Sequence, residues 1–585
     1  DTYGPLTLLT YAPVGAHEDL LPYLVRRLLE NGANTSFVHR LLDEATPPAD
    51  VVVDPIGVVQ AAGPGPNPRL ALPRDLYGDR RNSLGVDLSV QAERNALTEA
   101  VERFQVEAGE GRAIVSPAQP SRILGHVRQA DAGEIDAAFA RAASAQPAWD
   151  AAGGAARAAV LDAMADALEA NRNRLIALCV LEAGKTYRDA IGEVREAADF
   201  CRYYASLARR QFGPPTLLQG PTGERNTLAM AGRGAFVCIS PWNFPLSIFT
   251  GQLAAALAAG NAVLAKPAEQ TPLIAREAVR LFHAAGLAPA LLALVPGDGA
   301  TVGERLVTHP LCAGVAFTGG TATAVRINQR LAQRPGPIIP LIAETGGLNG
   351  MFVDTTAQSE QVTDDVIASA FGSAGQRCSA LRLLFVPEET ADLLIERIKG
   401  AMDTLVVGDP ARVSTDIGPV IDQAALSALE AHRDALRAAG RVLKALPTPA
   451  GEGTFFGPVL AEIPLSELPR EEVFGPILHV VRYSPLDLET VASALAARGY
   501  GLTLGVHSRI ESFARRVQQL VPCGNTYVNR SIIGAVVGVQ PFGGEGLSGT
   551  GPKAGGPLAL TRYAVERALS VNTAAQGGDP VLLNL

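Results

Sequence analysis

Between residues 235 and 333 short apolar runs alternate with longer, mixed stretches. Ala235 to Ser240, Ala262 to Lys266, Leu291 to Val295 and Gly314 to Thr318 read as buried strands. Leu246 to Ala259, Pro272 to Ala285 and Thr321 to Gln333 read as helices. Strands this short, alternating with helices, predict parallel βαβ units in a doubly wound sheet. Ligands of such sheets bind at the carboxyl ends of the strands, where Ser240, Lys266 and Thr318 fall. A second α/β segment runs from Glu344 to about Phe542, and a further helix from Asp189 to Arg209. Residues 6 to 14 are strand-like and His17 to Gly32 helical, ahead of a Pro-rich stretch from 47 to about 120 that reads as a linker. Pro, Gly and Thr crowd Gln211 to Leu228, and the tail from Thr561 is partly strand-like.

Composition narrows the class. A chain of 585 residues, 47% hydrophobic and 19% charged, is globular and long enough for several cores. Its net charge of −9 argues against nucleic acid as the main partner, because neutralising phosphates needs a basic face. No apolar run reaches the ~18 residues of a membrane span, and the first residues carry no basic leader. Few cysteines without an export signal point to the reducing cytoplasm.

One cysteine stands apart. Cys378 sits in Gly-Ser-Ala-Gly-Gln-Arg-Cys-Ser-Ala, 34 residues after Glu344-Thr345-Gly346-Gly347 and downstream of Pro241-Trp242-Asn243-Phe244-Pro245. A thiolate attacks an aldehyde carbon, and Arg377 next to it is expected to lower its pKa. The Asn243 amide and a backbone N–H suit the oxyanion, while Glu344 suits the activation of water on the resulting thioester. The other cysteines, 179, 201, 238, 312 and 523, lie in apolar or turn settings, and no C-x-x-C pair suggests a metal site. Two glycine motifs are decoys. Gly544-Glu-Gly-Leu-Ser-Gly549 follows no strand and enters no helix, and Gly184-Lys185-Thr186 has Cys179 where a phosphate loop needs its first glycine.

From about residue 116 the chain resembles the aldehyde dehydrogenases. The resemblance is carried by the three segments above and by Leu181 to Thr186, Ala265 to Glu269, Phe317 to Gly320, Glu471 to Pro476 and Pro541 to Gly544, in the family's order. It implies an α/β fold with a doubly wound parallel-sheet NAD-binding domain (116–210 and 232–343), an α/β catalytic domain (344–545) and a β-flap for oligomerisation (211–231 and 556–585), hence a homodimer. It also implies that Cys378, Glu344 and Asn243 are catalytic. Lys266 and Glu269 would hold the adenosine ribose, with Thr318 and Gly319 by the pyrophosphate. Glu472 and Phe474 would meet the nicotinamide riboside, and Ser240, Pro241, Trp242 and Gly346 would complete the cofactor site. A carboxylate at the ribose 2′-hydroxyl favours NAD over NADP.

Residues 1–46, with Tyr11 and the pair Arg26-Arg27, resemble the last strand and helix of the proline dehydrogenase barrel in the proline utilization A family. A whole barrel takes ~200 residues or more, so these are expected to be a remnant. FAD is then expected only in a complete bifunctional protein, Arg26 and Arg27 form a solvated helix face, and 47–115 is a linker. The resemblance implies L-glutamate γ-semialdehyde as substrate and L-glutamate as product. Asn529 to Phe542 resembles that family's aldehyde-anchor loop: Gly534, Ala535 and Ser379 would bind the substrate carboxylate. Phe244 and Phe542 would sandwich its chain, and Glu196 would accept from its amino group, unless Glu196 is simply exposed. The alternatives are another aldehyde dehydrogenase or an inactive NAD-binding fragment. A CoA-acylating enzyme has no need of a hydrolytic base such as Glu344.

Overall fold

The computed structural model describes residues 17–32, 41–43, 45–63, 65, 70–106, 108–221, 223–573 and 575. The strand expected at 6–14, Tyr11 and the end of the tail lie outside these residues. The chain forms two compact units, Asp1–Leu72 and Pro73–Leu585. In the first, the described helices include His17–Gly32, Pro48–Val51 and Pro55–Ala62. Arg26 and Arg27 are exposed on the first of these, with the Arg27 guanidinium 5.2 Å from the Tyr23 ring.

The second unit is built on two sheets. A parallel five-stranded sheet has the order Leu292–Leu294, Ala262–Lys266, Ala235–Ile239, Cys312–Thr318, Leu341–Glu344. Three of its four crossovers are the helices Ser247–Ala258, Pro272–Ala284 and Thr321–Gln333, within a residue of the expected bounds, and the fourth carries the short helix Glu304–Thr308. The helix Ser247–Ala258 is buried on nearly every side, and Gly251 lets it approach the Phe200 ring so closely that a Cβ would stand 3.0 Å away. Two crossover helices receive a distant carboxylate at their first turn. Glu193 accepts from the amides of Leu246 and Ser247, and Glu182 from those of Leu273 and Ile274.

The second sheet has seven strands, from Val442–Ala445 through Val459–Glu462, Ile477–Tyr483, Leu383–Pro387, Gly350–Val353 and Thr503–His507 to Asn525–Val528, with only the first pairing antiparallel. Each sheet has its own hydrophobic core. Thr216–Leu218, Glu224–Gly232 and Ala564–Asn572 pair as an antiparallel three-stranded sheet, from which Leu217 and Leu569 project into solvent.

The linker expected over 47–115 is not one stretch of open chain. Residues from Pro73 onward belong to the main unit, where the helix Gln91–Glu102 buries Leu97 and Val101 against the helix Arg172–Ala183. Proline and glycine density masked those apolar anchors, which recur at helical spacing.

Candidate active site

The parallel strands end together, and the residues expected there end with them. Ser240 donates its amide to the Lys266 carbonyl at 3.1 Å, and Gln252 bridges the Ile239 carbonyl and the Thr318 hydroxyl at 3.2 and 2.9 Å. Glu344 is the last residue of the edge strand, and its carbonyl accepts from the Gly319 amide at 3.1 Å. Lys266 is buried at a cavity of about 160 Å³ lined by Gly299, Glu304, Phe317 and Arg326. Burial holds its ammonium pKa below the usual lysine range, against the opposing charges of Glu269 and Asp298. The Glu269 carboxylate accepts from the Gly299 amide at 3.0 Å.

A cavity of about 150 Å³ joins the chemistry of both sheets. Cys378, Glu344, Ser379 and Thr318 line it. So do Phe244, Phe542, Gly534, Ala535 and Glu196. Glu196 is therefore at the site rather than on an open helix face. Burial, then the charge of Glu193, raises its carboxyl pKa to about 7. Asn243 is buried and does not itself line the cavity, which its neighbour Phe244 does; it donates from Nδ2 to the Gln376 carbonyl at 3.0 Å, two residues before the sulfur, which leaves its second N–H for another acceptor. A larger cavity of about 640 Å³ shares Glu196, Phe244, Gly534 and Ala535 with the first.

The nucleophile turn is strained and braced. Ser373, Ala374 and Gly375 are consecutive left-handed residues, with φ of 57°, 54° and 64°, a conformation that costs side-chain-bearing residues about 1 kcal/mol or more each. Arg382 spans the turn, donating to the carbonyls of Gly375, Gly475 and Arg377 at 2.7, 3.0 and 3.0 Å and to Glu472 Oε1 at 2.9 Å. Asn349 donates from Nδ2 to the carbonyls of Cys378 and Ala380 at 2.6 and 2.8 Å. Neither residue is evident from a motif. Arg382 leaves one signal, a lone charge inside the apolar run from Leu381 to Val386.

Arg377 does not do what its position suggests. Its guanidinium turns to Asp189 at 2.6 Å and lies 5.4 Å from the Phe244 ring, whose centroid is 4.5 Å from Lys185 Nζ. Burial, with Glu472 and Glu344 nearby, pushes the Cys378 thiol up to about 12, and Arg382 is the cation that opposes this. The expected lowering by Arg377 is thereby corrected. Burial likewise raises Glu344 to about 8; its Oε2 accepts from the Gly544 amide at 3.1 Å, while Oε1 is buried without a partner. The loop from Gly544 thus grips a carboxylate. At the other decoy, Lys185 pairs with Glu193 at 3.0 Å and Thr186 caps the helix Tyr187–Gln211.

Trp242 and Phe474 meet edge to face, centroids 5.6 Å apart, in front of Glu472, whose Oε2 accepts from the Gly347 amide at 3.3 Å. A Cβ on Gly346 would stand 1.9 Å from that oxygen, so any larger residue there would push the Glu472 carboxylate aside. Pro241 occupies the turn between the strand end and Trp242. The Arg382–Glu472 pair is buried, with side-chain exposures of 2% and 13%. Arg382→Met, which leaves Glu472 uncompensated, is expected to cost about 3–5 kcal/mol of stability, read as a lowered urea midpoint.

The chain belongs to the aldehyde dehydrogenase family, whose model matches residues 105–568. The proline dehydrogenase model matches residues 4–40. Over 97% of its length the chain is 48% identical to the bifunctional protein PutA of Klebsiella aerogenes, covering 45% of that protein. A crystal structure of a bifunctional proline utilization A superposes with a TM-score of 0.88 at 51% identity, over 97% of this chain and 56% of that one. The 1-pyrroline-5-carboxylate dehydrogenase from Thermus with bound NAD superposes with a TM-score of 0.80 at 32% identity, over 84% and 99%. The chain therefore spans about half the length of the bifunctional relatives it matches. Among the described residues no helix is long and apolar enough to cross a membrane, and no cluster of three or more metal-ligating side chains occurs.

Proposed function

We propose that this chain oxidises L-glutamate γ-semialdehyde, the hydrolysed form of Δ1-pyrroline-5-carboxylate, to L-glutamate with NAD. The observation that carries the reading is the single small cavity shared by Cys378, Glu344 and the loop at Gly534 and Ala535. The likeness to 1-pyrroline-5-carboxylate dehydrogenases along their whole length supports it. NAD fits the residues present: Lys266, at the cavity lined by Gly299 and Glu304, and Glu269, which accepts from the Gly299 amide, would hold the adenosine ribose, Thr318 and Gly319 the pyrophosphate, and Glu472, cradled against Gly346, the nicotinamide ribose. Bound NAD supplies the hydride acceptor and, through its cationic ring, a charge that favours the thiolate.

The sulfur of Cys378 bonds to the aldehyde carbon and the thiol proton passes to solvent. Asn243 Nδ2 and a backbone amide at the nucleophile stabilise the oxyanion. Loss of hydride leaves a thioester on the sulfur. Glu344 takes a proton from water as that water adds to the thioester carbon, and the sulfur leaves with the glutamate product complete. The amides of Gly534 and Ala535 and the Ser379 hydroxyl would hold the α-carboxylate, Glu196 the amino group, and Phe244 and Phe542 the methylene chain. The reading needs no flavin. Exposed Leu217, Leu218 and Leu569 on the three-stranded sheet support a homodimer through that flap.

A panel of aldehydes tests the substrate. The kcat/KM for the semialdehyde is expected to exceed that for butanal by about 100-fold or more, because unmet buried donors penalise an analogue lacking the carboxylate. Equal rates on both would sink the assignment.

A further inference from the structure

The loop from Gly534 to Gln540 is held from outside the stretch matched by the aldehyde dehydrogenase model, which begins at residue 105. Arg80 is buried, with 4% side-chain exposure. Its Nη1 donates to Asp199 Oδ1 at 3.1 Å and its Nη2 to the Val537 carbonyl at 2.6 Å. The guanidinium lies 3.9 Å from the Tyr77 ring centroid and 5.5 Å from that of Tyr203. Asp199 also accepts from the Ser83 amide and hydroxyl at 3.1 and 2.8 Å. It follows Glu196 by three residues on the helix Tyr187–Gln211, so one guanidinium ties the helix that carries Glu196 to the loop that carries Gly534 and Ala535.

The loop rests directly on this platform. A Cβ on Gly538 would come within 2.9 Å of the Tyr203 ring and 3.1 Å of Arg80 Nη2. Gly534, by contrast, has φ of 76° and nothing within 4 Å of where a Cβ would stand. No side chain packs on Gly534 itself, so its amide and that of Ala535 take their direction from the anchors on either side: buried Ile532, whose amide donates to Ser369 Oγ at 3.1 Å, and Val537, whose carbonyl Arg80 holds.

We infer that Arg80 is a positioning residue for recognition of the substrate carboxylate, and that the segment from Tyr77 to Ser83 is part of the enzyme's specificity rather than a tether. The inference rests on the proposed role of Gly534 and Ala535. Arginine suits the task because its planar fork reaches a carboxylate and a carbonyl at once, whereas lysine presents a single point of charge.

The test uses the full chain with Arg80→Met and Arg80→Lys, following NADH formation from L-glutamate γ-semialdehyde and from butanal. Arg80→Met is expected to raise KM for the semialdehyde about 10-fold, with kcat and the kcat/KM for butanal within about 2-fold of wild type. Arg80→Lys should fall between. Equal losses on both aldehydes, or an unchanged KM for the semialdehyde, would overturn the inference. Should Arg80→Met fail to fold, Ser83→Ala loosens Asp199 and is expected to give the same split at smaller size; no split overturns the inference equally. Wild-type preference for the semialdehyde that survives Arg80→Met counts against Arg80 alone. No wild-type preference would overturn the anchor loop and this inference together.

Discussion

Cys378→Ala is expected to lower NADH formation from aldehyde by about 10⁵-fold, the scale seen when a nucleophile is deleted from a site that otherwise still binds its ligands. NAD affinity should change little, because Lys266, Glu269 and the Arg382–Glu472 pair lie on other elements. Stopped-flow absorbance at the NADH band, with NAD titrated by tryptophan fluorescence, reads both. Residual turnover within an order of magnitude of wild type would remove the sulfur from the reaction. The buried thiol, pushed up to about 12 in the protein alone, adds a second expectation. Alkylation by iodoacetamide should be slow without NAD and faster with it, since the thiolate is the reactive form.

Glu344→Gln separates the two halves of the chemistry. In the proposed mechanism acylation does not use this carboxyl, so one NADH per site should appear in a burst, after which steady turnover is expected to be about 10²- to 10⁴-fold slower than wild type. Absence of a burst would place Glu344 in the first half. The pH dependence has a definite sign. A carboxyl whose pKa is raised to about 8 is protonated, and idle as a base, below that pH. The hydrolytic rate of the wild type should therefore rise about tenfold per pH unit on the acid side and level off above about pH 8. In Glu344→Gln that rise should vanish.

The strands from 235 to 333 were legible because each is short and apolar, and the helices because each is a longer stretch set off between them. Cys378 was legible because a polar, glycine-rich setting distinguishes it from cysteines 179, 201, 238 and 312, all buried. The supports of the site were not. Asn349 bonds carbonyls about 30 residues away and Arg80 an aspartate 119 residues away, so nothing local names the partner. Arg377 misled for the same reason. Adjacency in sequence says nothing about where a long side chain points, and Asp189 with the Phe244 ring drew it away from the sulfur.

Glu193 and Glu182 also shape the electrostatics of the crevice. A helix start carries roughly half a positive charge in its unpaired amides, and these two carboxylates quench it at the first two crossover helices. No side chain caps the third, Thr321–Gln333, which begins just past Thr318 and Gly319. Of these three helix starts only that of Thr321–Gln333 meets no carboxylate, and it is the one beside Thr318 and Gly319, where a helix start favours an anion.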